Sequence, residues 1–322
     1  MQADRRRLNP PSGGTVPPVF ATPHTKLHRP TRTRKPGEHR KLFLRIGIVP
    51  SASGSAYYEI PPQQPPATDL LVPQSSSLKI TCTVHGPRPL PRNAAFSPNL
   101  LLSTHVKFAP FATRNRSGYV RDASERDLGA HLETALRGVV IGERFPKSGC
   151  EVVVTVLEGE EDGWWAGNGS EKGGGWGMMG VLAGCITVAS AALVDAGIDC
   201  VDLITGGVAA MVQGAMGGDD ALVLDPAPSE HDGTITAACV VGYLESRDEV
   251  TELWLKGDGG NSVEALVDSA VRAAILSRTV LAEAVREAAV VKMVKADEGI
   301  TANAAESTKD GKGKTKDIVM TG

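Results

Sequence analysis

Arginine-rich loops are the part of this sequence best suited to phosphate chemistry. They occur in two stretches of loop composition, HGPRPLPR and ATRNRSGYVRD. Guanidinium groups presented there could donate hydrogen bonds to the phosphate oxygens of RNA. The side chains predicted to contact RNA are Arg88, Arg92, Arg114, Arg116 and Arg121. Ordinary surface arginines, or salt bridges between subunits, are the alternative interpretation.

A G-x-G-x-x-G spacing at Gly175–Gly180 formally matches a dinucleotide-binding turn. Such a turn needs a strand that runs directly into the glycines, whereas a polar loop precedes them here, so the spacing is interpreted as chance. Acidic residues crowd the same Gly-rich stretch and are interpreted as a solvated surface, because no rigid element would fix them around a metal ion. They are Glu158, Glu160, Glu161 and Asp162. No metal and no cofactor is therefore expected.

Neither the cysteines nor the histidine of the first predicted helix suggests a metal site. The five cysteines are widely spaced and form no C-x-x-C pair, which favours reduced core cysteines over zinc ligands. His131 has no cysteine or second histidine near it in the sequence and is interpreted as a helix-packing or helix-surface residue.

Composition and charge restrict the class of protein. With 322 residues, of which 41% are hydrophobic, the chain can bury a sizeable core. No apolar run reaches about 18 residues, so no membrane span is expected. Residues 1–45 hold eleven Lys and Arg against two acids, a local charge of +9, so the remainder carries −12 of the net −3. The N-terminus lacks a secretory pattern, while its arginines leave a transit peptide open.

The elements that must position these residues form one domain of the α+β class with mixed sheets and packed helices. A disordered basic arm is predicted for residues 1–36, because Pro, Arg and Thr are frequent there without apolar periodicity. The domain is expected at 37–292, interrupted by Pro- and Gly-rich insertions at 61–77 and 158–175. A short disordered tail is expected at 293–322.

Periodicity locates the main strands and helices. Four apolar side chains of LKITCTV alternate onto one face of a predicted strand, and CEVVVTVL predicts another. Ser124 is expected to cap the first helix, with Asp127 in the capping-box position. A small-residue helix is predicted at 178–196, in which Gly184 indicates close packing, and the last helix is predicted at 262–291.

Six segments of this sequence resemble the RNase PH family in order and spacing, across residues 36–290. The longer stretches of sequence around these segments are similar to those of the RNase PH-like ring subunits of the fungal RNA exosome. The segments are Gly54–Tyr57, His85–Arg88, Phe108–Ala112, Ser124–Leu128, Asp195–Ile198 and Leu224–Pro226. The resemblance implies an RNase PH fold.

Active members of this family perform phosphorolysis, in which inorganic phosphate attacks the 3′-terminal phosphodiester of RNA. The resemblance implies a phosphate loop at 176–179, where Met178 stands in place of an arginine. A second phosphate arginine would fall near Ser124, with Arg121 and Arg126 close by. The family's acidic pair would fall at Asp225 and His231, so one acid is retained. These degenerate positions predict a subunit without catalytic residues.

The resemblance further implies partners and a location. Other RNase PH-like subunits would complete a hetero-hexameric ring, a cap subunit would sit above it, and single-stranded RNA would pass through its channel. Such a ring would process and degrade RNA, ribosomal RNA included, in the nucleus with its nucleolus and in the cytoplasm. The alternatives are an active phosphate-dependent 3′–5′ exoribonuclease and a stand-alone RNA-binding protein.

Overall fold

A computed structural model describes residues 32–62, 77–113, 118, 120–160, 175–213, 221–231 and 234–311, with the backbone alone for 261 and 295–311. Within these ranges it has nine strands and three α-helices. The strands are β1 Phe43–Ile46, β2 Gly54–Ile60, β3 Leu78–Pro89, β4 Leu101–Phe108, β5 Ser148–Glu158, β6 Thr205–Val212, β7 Ala221–Leu224, β8 Ile235–Leu244 and β9 Glu249–Gly257. The helices are α1 Ala123–Arg137, α2 Gly177–Asp195 and α3 Val263–Gly311.

Two sheets with different strand orders enclose the core. The first is mixed, with the order β1-β2-β3-β5-β4, in which only the β4–β5 pair is parallel. The second is antiparallel throughout, with the order β7-β6-β8-β9. The α+β class and the mixed sheets expected from the sequence are therefore confirmed.

Helix α2 lies between the two sheets and is the centre of the core. Sixteen of its nineteen residues are buried, because small side chains such as Ala and Gly let the strands approach closely. A Cβ on Gly184 would lie 2.8 Å from Ile80 Cδ1, which confirms the close packing predicted there. Length and composition would also let α2 cross a membrane, but 89% of its apolar window is buried against the protein's own sheets.

The predicted apolar patterns match the buried faces. Leu78, Ile80, Cys82 and Val84 are completely buried on one face of β3. The partly buried residues between them form the opposite face. The leucines of the first helix, including Leu128 and Leu132, are buried as their spacing predicted.

The start of α1 differs from the prediction. Asp122, not Ser124, is the N-cap, and its carboxylate accepts a hydrogen bond from the Ala123 N–H. Glu125 completes the capping box by accepting from the Asp122 N–H. The same Glu125 carboxylate accepts from the Phe108 N–H, so a side chain in the first turn also fixes α1 to the end of β4. An ionised carboxylate is a strong acceptor for these N–H groups, which explains why the D-x-x-E spacing is used.

The last helix is longer than predicted. The backbone of α3 continues to Gly311, whereas the sequence placed its end at Val291 and a disordered tail from residue 293. No proline interrupts 263–311, and the Ala, Glu and Lys residues of this stretch favour a helix. Lys292 also ties this part of α3 to the body, through an ion pair of 2.7 Å with Asp195.

Candidate functional site

Asp225, the acid that the sequence marked as retained, lies in the protein interior and is paired with Arg40. The Arg40 guanidinium donates from Nε to Oδ2 at 2.8 Å and from Nη2 to Oδ1 at 2.7 Å. The Arg40 backbone N–H donates to Oδ2 as well, at 3.0 Å. Asp225 and Arg40 are only 2% and 3% exposed. Both carboxylate oxygens are therefore occupied by a permanent internal cation.

The backbone holds Asp225 in this position. It follows the last residue of β7 with φ 46°, a left-handed conformation that is uncommon outside glycine. Its N–H donates to the Val208 carbonyl oxygen on β6 at 2.9 Å. The hydrogen bond to β6 and the ion pair with Arg40 together fix the backbone at this position.

Glu160 was interpreted as a solvated surface acid, and this interpretation is wrong. Its side chain is completely buried and one carboxylate oxygen accepts a hydrogen bond from Arg40 Nη1. Glu158, two residues earlier, is one-third exposed and pairs with Lys79 at 2.8 Å. Glu158 is the last residue of β5 and Glu160 follows it closely. Both therefore belong to the end of this strand and not to the predicted insertion. Of that insertion, residues 161–174 lie outside the described part of the chain.

Residues 32–40 form a strap across the end of β7, and part of it was predicted as disordered arm. The Leu224 N–H donates to the Pro36 carbonyl oxygen at 2.8 Å, and Arg32 Nη2 donates to the Leu224 carbonyl oxygen at 3.2 Å. Arg34 Nη2 pairs with Glu230 at 2.9 Å. The arm of 1–36 therefore ends before Arg32, since two buried guanidiniums anchor the strap. Residues 1–31 lie outside the described ranges.

Positive and negative charges are balanced among the buried groups around Asp225. The pKa values of these groups follow from their burial and from the charges of their neighbours. Burial alone would raise the pKa of Asp225, but Arg40, with His39 and Arg34, outweighs it and holds that pKa well below its usual value. Burial raises the pKa of Glu160, which Arg40 only partly offsets. Burial, together with repulsion from Arg34, lowers the pKa of Arg32 to about 10.

The other positions that the family resemblance implied for the site each lie at one end of a helix. Met178 is the second residue of α2 and packs partly buried against the core. His231 ends the short 3₁₀ helix Pro228–Glu230, and its N–H donates to the Pro228 carbonyl oxygen at 3.1 Å. Ser124 lies in the first turn of α1. Asp225 is thus the one acid of the expected pair that is present, and it already carries a counter-ion.

The arginines predicted to contact RNA fall at separate places. Arg88 is the second-last residue of β3, opposite Gly149, and is exposed, as is Arg92 in the following loop. Arg121 is partly buried and lies 3.1 Å from His105 Nδ1 on the outer face of β4. Arg114 and Arg116 lie outside the described residues. Arg88 and Arg92 remain the candidates with an open path to solvent.

The histidine and the cysteines have the packing roles that the sequence indicated. His131 stacks on Trp254 with 5.0 Å between ring centroids and pairs with Glu252 at 2.7 Å, which joins α1 to β9. All five cysteines are free thiols, and four of them are buried. In the part of the chain that is described, no group of three His, Cys, Asp or Glu side chains is arranged to hold a metal ion.

Sequence reasoning missed Arg40, Glu160 and the strap arginines. The partners of Arg40 lie 120 and 185 residues away along the chain, so no local pattern could indicate the pairing. One signal was available for the strap. Arg32 and Arg34 lie shortly before the first strand-like segment, where the chain leading into a domain often packs against it.

The amino-terminal half of the chain matches a family profile. Residues 38–199 match the RNase PH family, described as the 3′ exoribonuclease family, domain 1. In structure, the chain is similar to Rrp46 of rice (Oryza sativa), with a TM-score of 0.55 and 16% identity. That match covers 77% of this chain and 98% of the rice chain. At this identity the structural likeness bears on the fold alone.

Relatives with higher identity span most of the chain. Exosome complex component MTR3 of Chaetomium thermophilum is 51% identical over 257 residues, which are 79% of this chain and 87% of the relative. The protein of that name in Schizosaccharomyces pombe is 31% identical over 79% of this chain and 84% of its own length. The human protein of that name is 28% identical over 81% of this chain and 85% of its own length.

Proposed function

The chain belongs to the RNase PH family, and we propose from that premise that it is a structural subunit of an RNA exosome ring whose own phosphorolytic site is silent. The 51% identity to a fungal exosome component MTR3 supports the assignment to the exosome. The proposed role is to hold the ring and its channel together while RNA is processed or degraded from its 3′ end.

The observation that carries the silent site is the Asp225–Arg40 pair. An acid that assists phosphorolysis must offer an oxygen to a metal ion or a proton. Both oxygens of Asp225 instead accept from one buried guanidinium, at 2.7 and 2.8 Å. Met178 supplies neither charge nor an N–H donor in its side chain at the start of α2. Loss of a charged transition-state contact of this kind costs roughly a hundredfold or more in rate.

Partners and location belong to the same proposal. We infer other RNase PH-like subunits in a hetero-hexameric ring, a cap subunit above it, and single-stranded RNA in its channel. A location in the nucleus, the nucleolus and the cytoplasm is proposed for that assembly. Arg88 and Arg92, exposed at the end of β3 and in its following loop, are the described side chains proposed to contact RNA phosphates.

Assembly is tested by affinity purification of the tagged chain from its own cells, with mass spectrometry and sizing of what elutes with it. Co-elution with several other RNase PH-like proteins, at a mass above that of a six-membered ring, is expected. Recovery as a free monomer, or as a ring of this chain alone, would overturn the proposal. A free monomer that binds RNA would instead favour a stand-alone RNA-binding protein.

Catalytic silence is tested with the purified chain and a 3′-tailed RNA. No shortening of the RNA is expected with inorganic phosphate and Mg²⁺, and no nucleoside diphosphate should be released. An active phosphorolytic RNase PH enzyme assayed in parallel shows that the conditions support phosphorolysis. Phosphate-dependent shortening by this chain would establish the alternative, an active exoribonuclease.

A further inference from the structure

The outer face of the first sheet is open to solvent along strand β1, which has β2 as its one neighbour in the described structure. Helix α2 packs on the opposite face of this sheet. Successive side chains of a strand point to opposite faces. Lys41, Phe43 and Arg45 are exposed, whereas Leu44 between them is buried. A cation, an aromatic ring and a second cation therefore follow one another on the outer face, in a row formed by Lys41, Phe43 and Arg45.

The ring at the centre of this row is supported by a second ring on β2. Phe43 is 51% exposed, and its ring meets Tyr57 edge to face with 6.5 Å between the centroids. Tyr57 lies opposite Arg45 in the register of the two strands. Burial and a hydrogen bond to Glu59 raise the pKa of Tyr57 to about 12, so the phenol is neutral at physiological pH. The face thus carries two uncharged rings on neighbouring strands.

The acidic groups beside the row are engaged within the protein. Glu59 accepts the hydrogen bond of the neighbouring tyrosine at 2.9 Å, and Glu158 pairs with Lys79 at 2.8 Å. Lys41 and Arg45 form no ion pair with any residue that the structure describes. The charge that remains available to a ligand is therefore positive, and it lies on both sides of an exposed ring.

We propose that the row is a contact surface for single-stranded RNA, in which a base stacks on Phe43 while Lys41 and Arg45 pair with the flanking phosphates. Every base has a π face, and cations pair with any phosphate, so such a surface binds RNA without regard to sequence. Sheet faces that carry exposed aromatic rings stack the bases of single strands in other folds. The inference goes beyond the loop contacts proposed for Arg88 and Arg92 and shares with them only the class of ligand.

The composition of the row favours RNA over a protein partner. The buried centre of a protein interface is depleted of charged residues, and lysine in particular is rare there. Here exposed cations stand on both sides of Phe43, and covering them with an apolar surface would cost their hydration. Cations on an edge strand also disfavour pairing with another strand. Single-stranded RNA supplies a phosphate for each cation and a base between them.

The test is binding of a short, fluorescein-labelled oligouridylate by the full chain, measured by fluorescence anisotropy. Phe43→Ala should weaken binding about fivefold to a hundredfold, the loss expected when one stacked base loses its ring. Phe43→Tyr keeps a ring and should retain most of the affinity. Phe111→Ala is the matched control, since Phe111 is 74% exposed but lies after β4, at the other edge of the sheet. Its affinity should equal that of the unsubstituted chain.

The two cations are tested through the dependence of binding on salt. A plot of log affinity against log salt concentration should become shallower by about 0.7 for each of Lys41→Gln and Arg45→Gln, because each phosphate contact on a single strand releases about that fraction of a counterion. A purely structural role would change stability and leave this slope alone. The slopes also decide the question if Phe43→Ala does not fold. Double-stranded RNA should compete poorly, because its bases are already stacked.

Three results would overturn the proposal. They are no binding of the oligouridylate at low salt, full affinity in a Phe43→Ala chain that melts normally, and an equal loss of affinity in Phe111→Ala. Reduced recovery of other ring subunits with Phe43→Ala, at unchanged RNA affinity, would show that the row is a protein interface instead. Arg88→Ala combined with Arg92→Ala tests the proposed loop contact separately, so each contact can fail without the other.

Discussion

At the residue scale, Asp225 shows how a single buried carboxylate can hold distant parts of the fold together. Arg40 reaches it from just before β1, so the pair joins the start of the domain to the end of β7. Arg34 Nη1 and His39 Nδ1 both lie 3.7 Å from the same carboxylate oxygen, Oδ2, and Arg34 adds positive charge there. In such surroundings the carboxylate stays ionised, and its removal would leave a buried guanidinium short of counter-charge.

Replacing Asp225 by Asn should therefore destabilise the chain strongly. Breaking one partner of a buried pair typically costs about 3–5 kcal/mol, because the remaining charge loses its compensation. Urea unfolding at neutral pH measures the loss. Asp199→Asn is the matched control, since Asp199 pairs with Arg144 at the surface and should cost less than about 1 kcal/mol. Equal losses in the two variants would show that the Asp225 pair has no special role.

The contribution of Asp225 should also depend on pH in one direction. Its native pKa is lowered, so the native state binds this proton less readily than the unfolded chain, whose pKa is about 3.9. The stabilisation is complete above that value and is lost as the pH falls further toward the native pKa. The difference in unfolding free energy between chains with Asp225 and with Asp225→Asn should shrink from pH 7 to pH 3.

The comparison is made between two chains that both carry Glu160→Gln, because the raised pKa of Glu160 favours the native state on acidification and depends in part on Asp225 itself. A difference that stays constant from pH 7 to pH 3 would contradict the lowered pKa of Asp225. Arg34, His39 and Arg40 are the basic side chains that face the Asp225 carboxylate.

The residues discussed above also show which features of the site could be predicted from the sequence. Asp225 and Met178 could be proposed as site positions from short segments that resemble a family, and that proposal stays a prediction. Arg40 and Glu160 could not, because their pairing depends on how β1, β5 and β7 come together in three dimensions. The sequence around Glu160 has the composition of a surface loop. Only its position shortly after the end of β5 places Glu160 in the interior.

At the element scale, periodicity was a good guide wherever one face of an element is buried. Alternation in β3 and the leucine spacing in α1 predicted their buried sides correctly. The ends of the helices were harder to predict. Helix α1 begins at a capping box that uses Asp122, and α3 continues beyond the last residue of its apolar stripe. Both ends depend on local hydrogen bonds and helix propensity, which apolar periodicity does not report.

Two adjacent glycines of β6 allow helices to pack on both faces of the second sheet. A Cβ on Gly206 would lie 2.2 Å from the Ala183 carbonyl oxygen of α2. On Gly207 it would lie 2.1 Å from the Ala270 carbonyl oxygen of α3. These are backbone atoms of buried helices, so they cannot move without displacing the helix.

Gly206→Ala and Gly207→Ala should each destabilise the chain by about 1–3 kcal/mol or more, as overpacking of a core does. Chemical denaturation measures the loss for each variant. Gly37→Ala is the control, because nothing lies within 4 Å of its added Cβ, and its effect should stay within about 0.5 kcal/mol. A normal stability of Gly206→Ala would mean that α2 can shift away from β6 at little cost.

At the scale of the whole molecule, the surface includes an exposed apolar region of the kind that another subunit could cover. Three large aliphatic side chains of β9 are well exposed: Val250 at 43%, Leu253 at 52% and Leu255 at 39%. Strand β9 is at the edge of its sheet, with β8 as its one neighbour in the described structure. Exposed apolar edges favour pairing with another chain, and proteins usually protect them. The proposed ring provides a covering partner, a neighbouring RNase PH-like subunit.

If a neighbouring subunit covers β9, Leu253→Lys should act on assembly and leave the isolated chain intact. The side chain is half exposed, so its effect on unfolding free energy should stay within about 0.5 kcal/mol. Recovery of the other ring subunits with the tagged variant should fall about tenfold, because a buried, unpaired lysine at an interface costs on the order of 1.4 kcal/mol or more. Leu276→Lys on α3, where the leucine is 43% exposed, is the matched control. Undiminished recovery with Leu253→Lys would place the neighbouring subunit on another face of the molecule.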